Sequence, residues 1–266
     1  KKNLDICCKL LKKEGFLLIG ICLKSGWFQR NLQRAILYNL SEDKNDLIVN
    51  SKILFKENLI RSEKFGGRNK FQVIFDTYVN PKINSLELED IVKIFRKNNV
   101  SLFSTFNYDK FIKDLLTPEF IQHRQFDKKR AKKKDLINLS KFHEFSLTNN
   151  KPKNVAVLKN FKQLDSSLNK ITSQFNDVMP NRNMNFSTKN ILNYQKEINR
   201  LKKVDLIDIE YNKKFLNEVK KILKILNLKL SKKNKLAIMR NCLRKSKYIF
   251  KKFNGVGINY FVGYKN

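Results

Sequence analysis

The chain has 266 residues, 41% of them hydrophobic, with 56 Lys and Arg against 24 Asp and Glu for a net charge of +32. That length supports one large or two modest domains, each with its own core, so no dependence on metals or disulfides is forced by size. A charge of this sign and size argues for a polyanionic partner and says nothing about fold. The longest apolar run, Phe16 to Leu23, is too short to span a membrane, and no membrane partner is expected. The cysteines at 7, 8, 22 and 242 form no C-x-x-C pair and have no histidine at ligand spacing. They read as free thiols in a reducing compartment, with no zinc site and no cofactor.

In chain order, Asn3 to Glu14 reads as a helix stopped by Gly15, followed by a buried strand over Phe16 to Leu23. Trp27 to Leu40 returns to helical spacing, with Phe28, Leu32, Ala35, Ile36 and Leu40 on one side. Leu47 to Phe55 and Leu59 to Ser62 look extended, and Phe65-Gly-Gly-Arg-Asn-Lys70 reads as a turn leading into a strand over Phe71 to Val79. A β-hairpin or meander is therefore expected, with Arg68 and Lys70 at its turn as candidate phosphate contacts. Asn84 or Ser85 is expected to cap a helix bearing Leu88, Ile91, Val92 and Phe95, and Val100 to Phe106 to form a strand. Thr117-Pro118-Glu119 then opens a helix running through His123 and Arg124 to about Phe142. Lys128, Lys129, Arg130, Lys132, Lys133 and Lys134 occupy six of seven positions there and surround the whole helix, which suits insertion between nucleic-acid strands.

Composition shifts at Thr148 to Asn154, a linker that divides a mixed α/β domain over 1–147 from a helical region over 155–266. Beyond it Val157, Phe161, Leu164, Leu168, Ile171, Phe175 and Val178 alternate at spacings of four and three, the pattern of a coiled-coil-like helix with a narrow seam. Shorter seams at Ile191, Tyr194, Ile198 and Leu201, and at Phe215, Val219, Ile222 and Leu226, offer it an internal partner. The fold class expected is thus α+β: an N-terminal mixed α/β domain with a hairpin or meander, then a mostly helical region with a basic tail.

That tail is the most distinctive stretch. From Val219 to Asn266 there is no Asp or Glu, while fourteen Lys and Arg residues are present. Lys232, Lys233, Lys235, Arg240, Arg244, Lys245, Lys247, Lys251 and Lys252 are its candidate RNA contacts, with Arg240, Arg244, Lys247 and Lys251 sharing one helical face. Predominance of lysine fits phosphate contacts, since bidentate reading of bases needs Arg, Asn or Gln. Tyr248, Tyr260, Phe261 and Tyr264 are aromatics near the tail that could stack on unpaired bases. No P-loop, dinucleotide-binding glycine pattern, metalloprotease His pair or nucleophile elbow occurs, and with His123 and His143 the only histidines, the chain reads as a non-enzyme without a small-molecule substrate.

Lysine-rich composition with few Ala, Gly and Pro points to an A+T-rich genome. Together with distributed charge, two basic helices and a small mixed domain, it resembles that of organelle-encoded, mitochondrial ribosomal proteins across the whole chain. The resemblance implies a structural protein of the mitochondrial matrix ribosome. It would bind ribosomal RNA through phosphates and hold neighbouring ribosomal proteins through the 157–178 helix. The alternative is an organellar DNA-binding or intron-associated protein of nuclease or maturase type, which would need clustered acidic residues to hold Mg²⁺.

Overall fold

The computed structural model describes residues 1–66, 68–80, 85–107, 161–175, 186–200, 209–251 and 259–266. Helices and one small antiparallel sheet make it an α+β protein. Two compact units are formed, one from residues 1–27, 84–165 and 255–266, the other from 28–83 and 166–254.

The first unit holds the sheet. Its strands are β1 (Phe16–Ile21), β2 (Val100–Asn107) and β3 (Asn259–Lys265), in the order β1-β3-β2 and antiparallel throughout. Phe16 pairs with Tyr264 and Val100 with Lys265, and the β2 register slips between Leu102 and Ser104. β1 is an edge strand and only half-buried, unlike the buried strand its apolar run suggests; Leu18 on its outer face is 53% exposed. Helices α1 (Lys2–Leu10) and α6 (Leu88–Lys97) cover the other face, so that Leu4, Cys8, Ile91, Val92, Phe95, Val100, Leu102 and Phe261 form one apolar core. α6 begins at Leu88, with Glu87 at its N-cap and no side-chain cap, later than the Asn84 or Ser85 start expected. Asp5 ties the two helices by accepting from Asn98 Nδ2 at 2.9 Å, and that bond, with those of Lys9 and Lys97, pulls its carboxyl down to about 2.

The second unit is helical and surrounds α2 (Phe28–Leu40), on which Leu32, Ala35, Ile36 and Leu37 are fully buried together with the polar Gln29, Asn31, Gln33 and Arg34. The stretch expected as a hairpin is instead α3 (Lys44–Leu54), α4 (Lys56–Gly66), α5 (Lys70–Ile74) and a single π-turn, Phe75–Val79. Asn69, read from sequence as a hairpin-turn residue, is the N-cap of α5 in a reciprocal capping box with Gln72. α3 explains the misreading. Its inner face carries the buried Leu47, Asn50 and Ser51, while Val49 and Ile53 face outward, 53% and 41% exposed. The polar inner residues are satisfied locally: Asn50 Nδ2 donates to Ser41 Oγ at 3.0 Å, and Ser51 Oγ to the Ile48 carbonyl at 2.7 Å.

The rest of this unit comprises α7 (Phe161–Ser173) from Ser166 onward, α8 (Lys189–Arg200), α9 (Ile209–Leu226) and α10 (Lys232–Lys245). Of the predicted heptad seam, Leu168, Ile171 and Phe175 are buried, and Phe175 packs on Phe28 and Phe186 with ring centroids 5.9 and 5.7 Å apart. This stretch of the seam is covered by the chain's own residues. α7 ends at Ser173, and Val157, Val178 and Leu201 lie outside the described residues. α9 buries Phe215, Leu216, Val219, Ile222, Leu223 and Leu226, a broad stripe of the kind a helix uses to face a core, wider than a coiled-coil seam.

This packing sets the cost of two substitutions. A Cβ on Gly263 would stand 2.6 Å from Val100 Cγ1 and 3.0 Å from Phe95 Cε2, so Gly263→Ala should cost roughly 1 to 3 kcal/mol in urea denaturation, the usual cost of overpacking. Leu168→Asp places a charge at a site 4% exposed and should cost roughly 3 kcal/mol or more, the penalty of an unpaired buried charge. A parent-like urea midpoint in either variant contradicts the packing described.

Candidate nucleic-acid interface

α9 and α10 pack together as a helical hairpin through a five-residue connection, Asn227 to Ser231. Ser231 caps α10 by accepting from Asn234 N, and Met239 and Leu243 supply its inner face. The first turn of α10 carries Lys232, Lys233 and Lys235 and no acid, an arrangement the helix dipole disfavours. Two of these cations are held by local acceptors. Lys232 Nζ donates to the Ser41 carbonyl at 2.8 Å and lies 3.9 Å from Glu42. Lys235 Nζ donates to the Leu226 carbonyl at 3.2 Å, satisfying an end carbonyl of α9, and to Asn39 Oδ1 at 3.4 Å. Burial, and then the charge of Lys232, pushes the Lys235 ammonium below the ordinary lysine range. These two lysines therefore brace the hairpin.

Lys233, Arg240, Arg244 and Lys245 are exposed. Lys233, Arg240 and Arg244 stand at i, i+7 and i+11 along α10, one stripe on the helix surface. Lys221 and Lys224 on α9 and Lys229 in the connection add exposed charge to the same hairpin. Lys221 and Lys224 escape a search for dense basic clusters because they are spaced among the buried positions of α9; placing the helix on a 3.6-residue wheel brings them out. α10 stops at Lys245, with Ser246 as C-cap, so Lys247 and Lys251 do not extend the helical face of Arg240 and Arg244 as expected. Lys247 is exposed, whereas Lys251 Nζ lies 3.5 Å from Glu57.

The chain just beyond α10 is organised by one carboxylate. Glu218 on α9 accepts from the backbone N–H of Lys247 at 2.7 Å, Tyr248 at 3.0 Å and Ile249 at 2.8 Å. Glu218 is also the last acidic residue of the chain. Its charge is met by backbone dipoles, so every lysine and arginine beyond it must look elsewhere for a counter-charge. The next turn places Phe250 at φ 60 and buries its ring against Phe55, centroids 5.4 Å apart, while its N–H donates to Gln29 Oε1 at 3.0 Å.

The other predicted contacts are placed differently. Arg68, between α4 and α5, pairs with Asp76, and Lys70, the first residue of α5, pairs with Glu63 at 2.9 Å. Arg124, Lys128, Lys129, Arg130, Lys132, Lys133, Lys134 and Lys252 lie outside the described residues. Among the aromatics, Phe261 is fully buried and cannot meet a base, Tyr264 packs on Phe16 at 5.1 Å, and Tyr248 packs on Tyr211 at 5.2 Å. Burial raises the Cys242 thiol on α10 above its ordinary range, which keeps it protonated and unreactive. Among the described residues, no three His, Cys, Asp or Glu side chains come together as a metal site requires, and no helix is long and apolar enough to cross a membrane. A cleft of about 210 Å³ lies between α8 and α9, lined by Gln195, Asn199, Lys213, Leu216 and Asn217, smaller than the usual small-molecule pocket.

Glu218→Ala leaves three N–H groups without their acceptor, and urea denaturation should show a loss on the order of 1 to 3 kcal/mol, the cost of stranding partly buried donors. A loss below a few tenths would mean that water replaces the carboxylate and that the 247–249 turn is held by its other contacts.

Comparison of the chain with protein-family models, with curated proteins and with solved structures finds no match in any of the three.

Proposed function

We propose that this protein is a structural RNA-binding component of a ribonucleoprotein particle, specifically a mitochondrial ribosomal protein that contacts ribosomal RNA phosphates through basic helices and has no catalytic task. The observation that carries this reading is the exposed cationic surface of the α9–α10 hairpin, on a segment whose last acid, Glu218, is engaged by backbone N–H groups. An unbalanced surface of this kind gathers a counterion atmosphere, and a polyanion gains affinity by releasing it. Lysines supply point charges without a fixed fork and take phosphates in many geometries, so affinity without sequence preference follows. The ribosomal assignment is supported by composition and by the distribution of charge: residues 1–150 carry a net +12 and the segment from Val219 a net +14.

Purified protein should bind structured RNA with an affinity that falls steeply with salt. Changing Lys233, Arg240, Arg244 and Lys245 together to Gln should lower the log–log salt slope by roughly 3 units and weaken all RNAs about equally. In mitochondria the parent should co-sediment with ribosomal particles and be released by salt or ribonuclease. A salt-insensitive affinity, or co-sedimentation with DNA that survives ribonuclease, would overturn the proposal.

A further inference from the structure

Most cations on this surface account for phosphate contacts, but one exposed feature of the helical unit does not. Phe71 on α5 is 60% exposed, and its ring lies 4.3 Å from that of Phe75, centroid to centroid, at an interplanar angle of 38°. Phe71 and Phe75 are one helical turn apart and form a two-ring step on the outer side of the helix whose inner side buries Val73 and Ile74. Lys44 Nζ stands 4.9 Å from the Phe75 ring centroid, within cation–π range. A large exposed aromatic on a helix whose first turn is fixed by the Asn69 capping box is a rigid surface.

Two further observations tie it to nucleic acid. Lys44 is the first residue of α3, and just before it Ser41 and Glu42 hold the Lys232 ammonium. Lys44 therefore follows closely on the Ser41–Glu42 segment that receives Lys232, the first residue of α10. The acids around it are also engaged. Asp76 is held by Arg68 and Glu63 by Lys70, while Asp43 and Asp46 accept backbone N–H groups at the start of α3. Lys44, beside the Phe75 ring, has no ion pair among the described residues and can take a phosphate.

We infer that Phe71 and Phe75 are a stacking site for an unpaired RNA base, with Lys44 taking the phosphate beside it, at the end of a surface that elsewhere grips phosphates alone. Every base has a π-face, so the site favours single-stranded over paired RNA without selecting a sequence. The stacking site rests on the RNA-binding reading of the α9–α10 hairpin and extends it to the form of RNA taken.

The test compares a short oligouridine with a blunt RNA duplex of equal length. Phe71→Ala should weaken oligouridine binding roughly 5- to 150-fold, the range alanine substitution gives for one stacked base, with an unchanged salt slope and no change for the duplex. Phe71→Trp should retain the affinity and have its indole emission quenched on binding, whereas Phe71→Leu, apolar but without a π-face, should resemble Phe71→Ala. Circular dichroism of each variant should match the parent, given the exposure of the site. Oligouridine affinity unchanged in Phe71→Ala, or restored in Phe71→Leu, overturns the stacking site. If Arg240→Gln and Arg244→Gln still weaken both RNAs, the RNA-binding reading survives that result; if the parent binds neither RNA, that reading fails, and the stacking site with it.

Discussion

The helical unit depends on a helix, α2, that is buried except at the partly exposed Arg30 and Asn39. The buried polar residues of α2 must be satisfied by the segments packed around it, and they determine where those segments lie. Tyr78 Oη donates to Gln33 Oε1 at 3.1 Å, Arg34 donates to the Asn80 carbonyl at 2.7 Å, and Gln29 accepts the Phe250 N–H. The penalty for leaving any of these unmade is larger than the gain from making them, which turns each into a positional constraint. Burial pushes the Tyr78 hydroxyl well above its ordinary range and the Arg34 guanidinium below its own. Tyr78 therefore stays a neutral hydrogen-bonding group over the physiological pH range.

The basic hairpin inherits its position from those constraints. Gln29 and Asn58 hold Phe250 by its N–H and its carbonyl, Arg61 donates to the Lys251 carbonyl, and Glu218 holds 247–249. Uncharged groups and backbone share this anchoring with the Glu218 carboxylate, Arg61 and the two lysines at the α10 start. The side chains of Lys233, Arg240, Arg244 and Lys245, exposed on α10, take no part in these anchoring bonds. Local preference is violated at the acid-free first turn of α10, as it is at the positive φ of Phe250.

Legibility followed the agreement between polarity and position. α2 and α6, the strands β1 and β2, and the burial of Ile191, Tyr194, Phe215, Val219, Ile222 and Leu226 all come through in the spacing of apolar residues, and the α+β class with them. Residues 47–79 did not. There the rule is inverted, with Asn50 and Ser51 inside and Val49 and Ile53 outside, so a run of β-branched residues mimics a strand while the helical stripe is partly written in polar letters. The antiparallel pairing of β3 with both β1 and β2 was also invisible, because register between strands so far apart in the chain leaves no local periodicity. At the candidate interface, charge was fully legible and geometry was not: the end of α10 at Lys245 and the inward ties of Lys232 and Lys235 depend on tertiary partners.

Charge and stability meet in the net +32. A compact state holding that much like charge pays a self-repulsion that salt or a polyanion relieves. The repulsion is greatest where acids are absent, and α10 is such a place: its cations sit on a helix whose own dipole opposes Lys232 and Lys233 at the first turn. Anything that binds the folded chain at this surface stabilises it by mass action. The unbound hairpin therefore carries unfavourable electrostatics where the proposed partner would bind, and the same residues that weaken the isolated hairpin would strengthen the complex. A stabilising Glu placed opposite Arg240 or Arg244 would trade against affinity, because each local pair it formed would remove a cation from the phosphate-facing surface.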